Sequence, residues 1–229
     1  MMTNAEATSK AYWEYVQTMA PDEFKETQVI ALQVHGPGVI HTADKPVKNV
    51  ADMKGLKMRA PTRQVTKLMG TLGAIPVGMP LPGIPDALSK GTINGAVIPW
   101  EVVPAMKFQE ITKFHTEVPA GAAQISNTVF IFAMNQAKYD SLPAELKKVI
   151  DANSGADWSA KVGKIFAEDA APGRKSAQAR NNTFYTLPTA ELRRWEKATA
   201  VVTEEWVKDI TAKGLDGKRL LEEARAASR

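Results

Sequence analysis

Met53-Lys54-Gly55-Leu56-Lys57-Met58-Arg59-Ala60-Pro61 is the stretch on which the fold turns. Leu56, Met58 and Ala60 alternate with Lys57 and Arg59, the two-residue period of a strand. Pro61 pushes Ala60 toward an extended conformation and stops the run. A helical pattern starts at once, with Val65, Leu68, Met69 and Leu72 at i, i+3, i+4 and i+7. Arg59 therefore sits at the C-terminal end of a strand that feeds a helix, and in open α/β sheets ligands gather at that edge. A guanidinium there offers a rigid fork of donors that matches a carboxylate. The plainer alternative is a solvated arginine in a weak surface ion pair.

Working outward, strand and helix patterns alternate along the chain, which predicts an α/β fold. Residues 4–19 have helical composition with Asn4 as N-cap. Gln28–Val34 reads as a buried strand ended by the turn His35-Gly36-Pro37-Gly38. The helix after Arg59 spans Thr62 to Leu72, and Ile93–Ile98 is a strand interrupted at Gly95. The stretch from Glu101 to Glu110 is expected to be helical. Val129–Met134 is a continuous apolar run, expected as a buried central strand. One long helix is expected from Leu146 through Phe166, interrupted or kinked at Pro172-Gly173. A short strand at 183–187 precedes a last helix, capped by Thr189 and closed by Gly214.

The 229 residues suffice for one large domain or two small lobes. A net charge of +4 could suit an acidic partner, but Lys and Arg are interleaved with Asp and Glu. No basic run carries interleaved aromatics, so no nucleic-acid partner is expected. With no cysteine, disulfides, thiolate metal sites and cysteine nucleophiles are excluded. No apolar run reaches membrane-spanning length. The opening Met1-Met2-Thr3-Asn4-Ala5-Glu6 lacks the basic and apolar regions of a signal peptide.

Catalytic signatures are equally absent. His35, His41 and His115 form no metal-ligating spacing. There is no phosphate loop, dinucleotide fingerprint or nucleophile elbow. No catalytic residue, metal or cofactor is expected, and the chain reads as a non-enzyme.

Two further segments carry a resemblance. Residues 46–61 read Pro-Val-Lys-Asn-Val-Ala-Asp-Met-Lys-Gly-Leu-Lys-Met-Arg-Ala-Pro, and residues 72–95 run from Leu-Gly-Ala-Ile-Pro-Val-Gly to Lys-Gly-Thr-Ile-Asn-Gly. In this order they resemble the substrate-binding proteins of TRAP transporters, the DctP-like family. The likeness continues through Val129–Asn135 to the C-terminal helices.

The resemblance implies a two-lobed periplasmic binding protein-like fold of type II-like character, with hinge strands and a long connecting helix, closing over a ligand. Lobe I would hold 1–36 and 125–165; lobe II would hold 37–124 and 166–229. In relatives the segment matching 1–17 lies well inside the mature protein. The first lobe is therefore expected to be incomplete, the strand Gln28–Val34 to lack sheet neighbours, and a periplasmic location to be inferred from the family alone.

The implied function is an extracytoplasmic solute-binding subunit that captures a small organic acid and delivers it to TRAP membrane subunits. Arg59 matches the carboxylate-clamping arginine. Thr62 matches a cleft-lining position, with N-cap as its other reading, and Leu81 matches an apolar pocket position. Ile98-Pro99-Trp100 follows the family's "DG"; Ile98 stands where many relatives place an asparagine, and Asn94 replaces the usual aspartate. Trp100 either stacks on a ligand or fills the core. His35, beside the glycine turn, is the remaining ligand-binding candidate. The apolar Val39, Ile40, Leu81, Ile98 and Trp100 favour a monocarboxylate, with a dicarboxylate as second choice. The reading from a different class is a periplasmic-type α/β sensor or enzyme domain.

Overall fold

The structure is a computed structural model and describes residues 4–227. Met1, Met2 and Thr3, read above for a leader, lie outside the described residues, as do Ser228 and Arg229. In chain order the elements are α1 (Ala5–Met19), β1 (Thr27–Val34), β2 (Val39–Thr42), β3 (Lys57–Ala60), α2 (Arg63–Thr71) and β4 (Ile75–Gly78). They continue with α3 (Ile84–Ser89), β5 (Gly95–Ile98), α4 (Phe108–Ile111), β6 (Phe114–Glu117), β7 (Val129–Asn135) and α5 (Gln136–Asp140). The last are α6 (Ala144–Ala152), α7 (Ala156–Gln178), β8 (Thr183–Thr186), α8 (Thr189–Ala212) and α9 (Gly217–Ala227).

Two compact units result. The first takes Met1–Gly36, Thr128–Glu168 and Lys218–Arg229; the second takes Pro37–Asn127 and Asp169–Gly217. The C-terminal helix, expected in lobe II, thus groups with the first unit, where Tyr15 donates its hydroxyl to the Leu220 carbonyl at 3.0 Å.

The first unit is built on a two-stranded antiparallel sheet of β1 and β7. β1 does not lack a neighbour, contrary to the sequence reading. Its other edge is finished by side chains. The buried hydroxyls of Ser159 and Ser9 accept from the N–H groups of Leu32 and Val34, each at 3.0 Å. The register slips between Val29 and Ala31, and the Ile30 carbonyl accepts from Gly155 N–H at 3.0 Å. Buried backbone groups need such partners, and here two helices supply them.

β7 reverses its expectation. Instead of a buried central strand it is an edge strand, and Val129, Phe130, Ile131 and Phe132 are all exposed, Phe132 at 58%. A continuous apolar run reports that a strand could be covered on both faces, not that it is. Among the described residues β1 is its sole strand partner. An uncharged apolar edge of this kind is a template for association. Phe132→Lys is therefore expected to change folding stability by less than about 0.5 kcal/mol, as for exposed sites generally. It should also lower light scattering at high protein concentration; unchanged scattering counts against the edge as the sticky surface.

The second unit is a six-stranded sheet in the order β4-β3-β5-β2-β6-β8. β3 runs parallel to β4 and β5, β2 antiparallel to β5 and β6, and β6 parallel to β8. Strand alternation sorts its side chains to two faces. Ile40, Met58, Ala60 and Val97 pack with Val65, Met69 and Trp195 of α2 and α8. Val39, Ala96 and Ile98 pack with Ile84, Leu88, Phe108 and Ala177 of α3, α4 and α7. The edge strand β4 carries Pro76, paired across to Met58.

Four helix expectations shift. The expected long helix is two, α6 and α7, separated at Gly155, whose φ of 102° only glycine adopts readily. α7 runs through Pro172 without interruption. Residues 101–110 are not one helix: a 3-10 turn at Trp100–Val102 and the four-residue α4 flank Lys107, which is left-handed at φ 55°. Finally, Pro188 rather than Thr189 occupies the N-cap of α8.

Candidate functional site

Arg59 sits in β3 between Met58 and Ala60, so its side chain leaves the sheet on the face opposite theirs. It is only 8% exposed. Its Nε donates to the Met79 carbonyl and its Nη1 to the Val97 carbonyl, both at a long 3.3 Å. A guanidinium has five N–H donors, and these two bonds use two of them. No ion pair among the described residues involves Arg59. Burial lowers its pKa from the ordinary value, yet an arginine stays charged throughout the working range. A buried cation held by two weak carbonyl bonds has unused capacity for an anion.

The chain segments that supply these two carbonyls are apolar. Ile98, Pro99 and Trp100 at the end of β5 are buried, and Leu81 is half-buried against the cluster containing Ile98 and Trp100. Trp100 packs at 4.8 Å from the His41 ring, and its Nε1 donates to Glu117 Oε1 at 2.9 Å. Arg174 in turn holds Glu117 with two bonds, Nε to Oε1 at 2.9 Å and Nη2 to Oε2 at 3.0 Å. The indole is thus fixed in orientation by a carboxylate that is itself clamped.

Thr62 is the N-cap of α2, its hydroxyl accepting from Val65 N–H at 3.2 Å. Thr62→Ala should lower stability by about 1 kcal/mol and Thr62→Asn by much less, since asparagine caps as well. Urea unfolding reads this; equal losses in the two variants would contradict a capping role. Asn94 fills its aspartate position in shape, with Oδ1 accepting from Lys57 N–H at 2.9 Å. His35 belongs to the first unit. Its Nδ1 is bonded to the Gly36 carbonyl and its Nε2 accepts from Thr128 N–H at 3.1 Å, so both ring nitrogens serve the backbone.

Arg59, Leu81, Ile98, Pro99 and Trp100 therefore share one unit, with Thr62 at the same strand-helix junction. Sequence reasoning misses the carbonyls of Met79 and Val97, because backbone groups carry no residue signature. It also misses the Glu117–Arg174 clamp, whose members lie 57 positions apart. Among the described residues no group of three or more His, Asp or Glu could hold a metal ion, and no helix is long and apolar enough to cross a membrane.

The sequence model of DctP, bacterial extracellular solute-binding protein family 7, matches residues 1–209. The chain belongs to this family.

The DctP family supplies close structural neighbours. One is a TRAP solute binding protein from Rhodoferax ferrireducens in complex with copurified benzoate, 57% identical with a TM-score of 0.97, covering 100% of this chain and 71% of that one. Another, from a marine metagenome, is a TRAP solute binding protein specific for aromatic acid ligands, in complex with metahydroxyphenylacetate. It is 42% identical with a TM-score of 0.95, over 99% of this chain and 71% of that one. Among curated proteins, the outer membrane transporter protein TsaT of Comamonas testosteroni is 25% identical over 98% of this chain, which spans 66% of its length. The fold is the two-lobed periplasmic binding protein fold of these neighbours, and DctP-family proteins bind solutes rather than convert them.

Proposed function

We propose that this chain is the solute-binding part of a TRAP-type transporter, that it binds a small aromatic monocarboxylate through Arg59, and that it works in the periplasm, handing its ligand to membrane subunits. The observation that carries this reading is the buried guanidinium of Arg59, bonded only to two carbonyls at 3.3 Å. A carboxylate placed on it gains charge-assisted bonds in a setting of low dielectric. A single buried cation in the unit whose apolar cluster includes Ile98, Leu81 and Trp100 suits one carboxylate on an apolar body. The benzoate and metahydroxyphenylacetate bound by similar proteins support the aromatic choice.

A thermal-shift series with benzoate, metahydroxyphenylacetate and succinate tests this. At a hundredfold excess over Kd, benzoate should stabilise by about 2.7 kcal/mol, a rise in Tm of roughly 5–10 °C for a chain of this size. Succinate should give no comparable rise. A response to succinate with none to either aromatic acid would overturn the reading.

A further inference from the structure

The second unit encloses two imidazoles, His41 on β2 and His115 on β6, both 0% exposed. Their Nδ1 atoms lie 2.7 Å apart. His41 Nε2 is 3.2 Å from the Ile98 carbonyl, which can only accept, so this nitrogen carries a proton. His115 Nε2 is 3.0 Å from the Asn182 side-chain nitrogen. That nitrogen also reaches the Thr112 and Gln109 carbonyls at 2.8 and 3.1 Å, which fixes it as the donor end of the amide. His115 Nε2 faces a nitrogen that cannot accept and is thus unprotonated, its single proton is on Nδ1, and it points at the bare Nδ1 of His41. Two neutral rings satisfy this chain in one proton order. A third proton would set two N–H groups against each other.

Trp100 packs on both rings, at 4.8 and 4.9 Å, and Phe184 on His115 at 5.0 Å. The charged groups facing the pair are Glu117 on β6 and Arg174 on α7, bonded to one another and opposite in effect on His115.

We propose that the His41–His115 pair is an acid-opened latch: while both rings are neutral it pins the end of β5, from Ile98 to Trp100, onto β2 and β6, and a third proton releases it. The inference stands without the ligand reading; where that reading also holds, the released segment is the apolar wall beside Arg59.

The sign follows from the geometry. Burial first, and then the charge of its partner, holds His41 well below 6.5; burial brings His115 to about 4. Folded values below the unfolded value mean that the unfolded chain takes up protons first. The stability is complete above pH 6.5 and is lost as pH falls from 6.5 toward 4. Each excluded proton lowers the folding constant by up to about tenfold per pH unit in that window, so the pair lowers it by up to about a hundredfold.

Two-bond proton–nitrogen spectra of the imidazoles in the whole chain, from pH 7.5 to 4.5, test the latch directly. The expected result is one ring protonated at Nε2 (His41) and one at Nδ1 (His115), with neither titrating between pH 7 and 6. The same tautomer in both rings overturns the proposal. So does a ring that protonates near pH 6.5 while the amide shifts of Ile98 and Trp100 stay put. Urea unfolding of H41Q/H115N, which keeps amide donors in place of titrating rings and leaves His35 unchanged, should show a shallower fall in folding constant between pH 6.5 and 5. An equal slope in variant and wild type overturns the latch; should the double variant fail to fold, the wild-type spectra decide alone.

Discussion

Arg59→Ala in a protein carrying this chain is expected to abolish binding of benzoate and related acids, and Arg59→Lys to restore little of it. Truncating one partner of a buried, hydrogen-bonded charge pair costs about 2–5 kcal/mol, roughly a thirtyfold to several-thousandfold loss of affinity. Lysine keeps the charge but offers no planar fork, and its ammonium cannot reproduce the bonds to the Met79 and Val97 carbonyls from the same atoms. Isothermal calorimetry reads the result. Near-native affinity in Arg59→Ala would remove Arg59 from the binding site.

Gly173→Ala carries the largest expected loss of stability. In an ordinary helix interior, alanine for glycine is worth about 0.5–1 kcal/mol in favour. Here the added Cβ would meet the Trp100 backbone, overlapping its carbonyl oxygen and lying 2.7 Å from the carbonyl carbon. Backbone cannot swing aside as a side chain tip does, so either α7 or the Trp100 turn must move. Overpacking of this kind costs about 1–3 kcal/mol, a fall in Tm of roughly 2–12 °C. Gly70→Ala in α2 is the matched control, because nothing lies within 4 Å of the point where its Cβ would stand; it should raise Tm slightly. A neutral Gly173→Ala would mean that α7 does not bear on Trp100 as closely as described.

The parts of the fold that are legible in the sequence are those where the pattern changes period. From Leu56 to Leu72 it passes from two-residue to helical repeat, with Pro61 marking the join, and β3 and α2 lie there. β7 misleads because its apolar run holds no alternation, and only neighbours decide whether such a strand is covered. Pro172 misleads because a proline in a helix interior normally breaks or kinks it, whereas α7 continues. At the candidate site, position and resemblance mark Arg59 and Ile98-Pro99-Trp100. What holds them has no such mark: carbonyl oxygens have no letter in the sequence, and Asn182 reaches His115 across 67 positions. The histidines look isolated in sequence because the β2–β6 register, which sets His41 opposite His115, exists only in the folded sheet.

The two sheets end very differently. In the six-stranded sheet one outer strand, β4, is four residues long and includes Pro76, which has no N–H to offer. In the two-stranded sheet the serines close β1, but β7 presents seven residues with neither proline nor charge. Strand addition to the two-stranded sheet thus has a permissive edge, β7, and a blocked edge, β1. Polymers of this chain should propagate through β7, and a short peptide of the β7 sequence should act as a chain terminator or a seed according to its concentration.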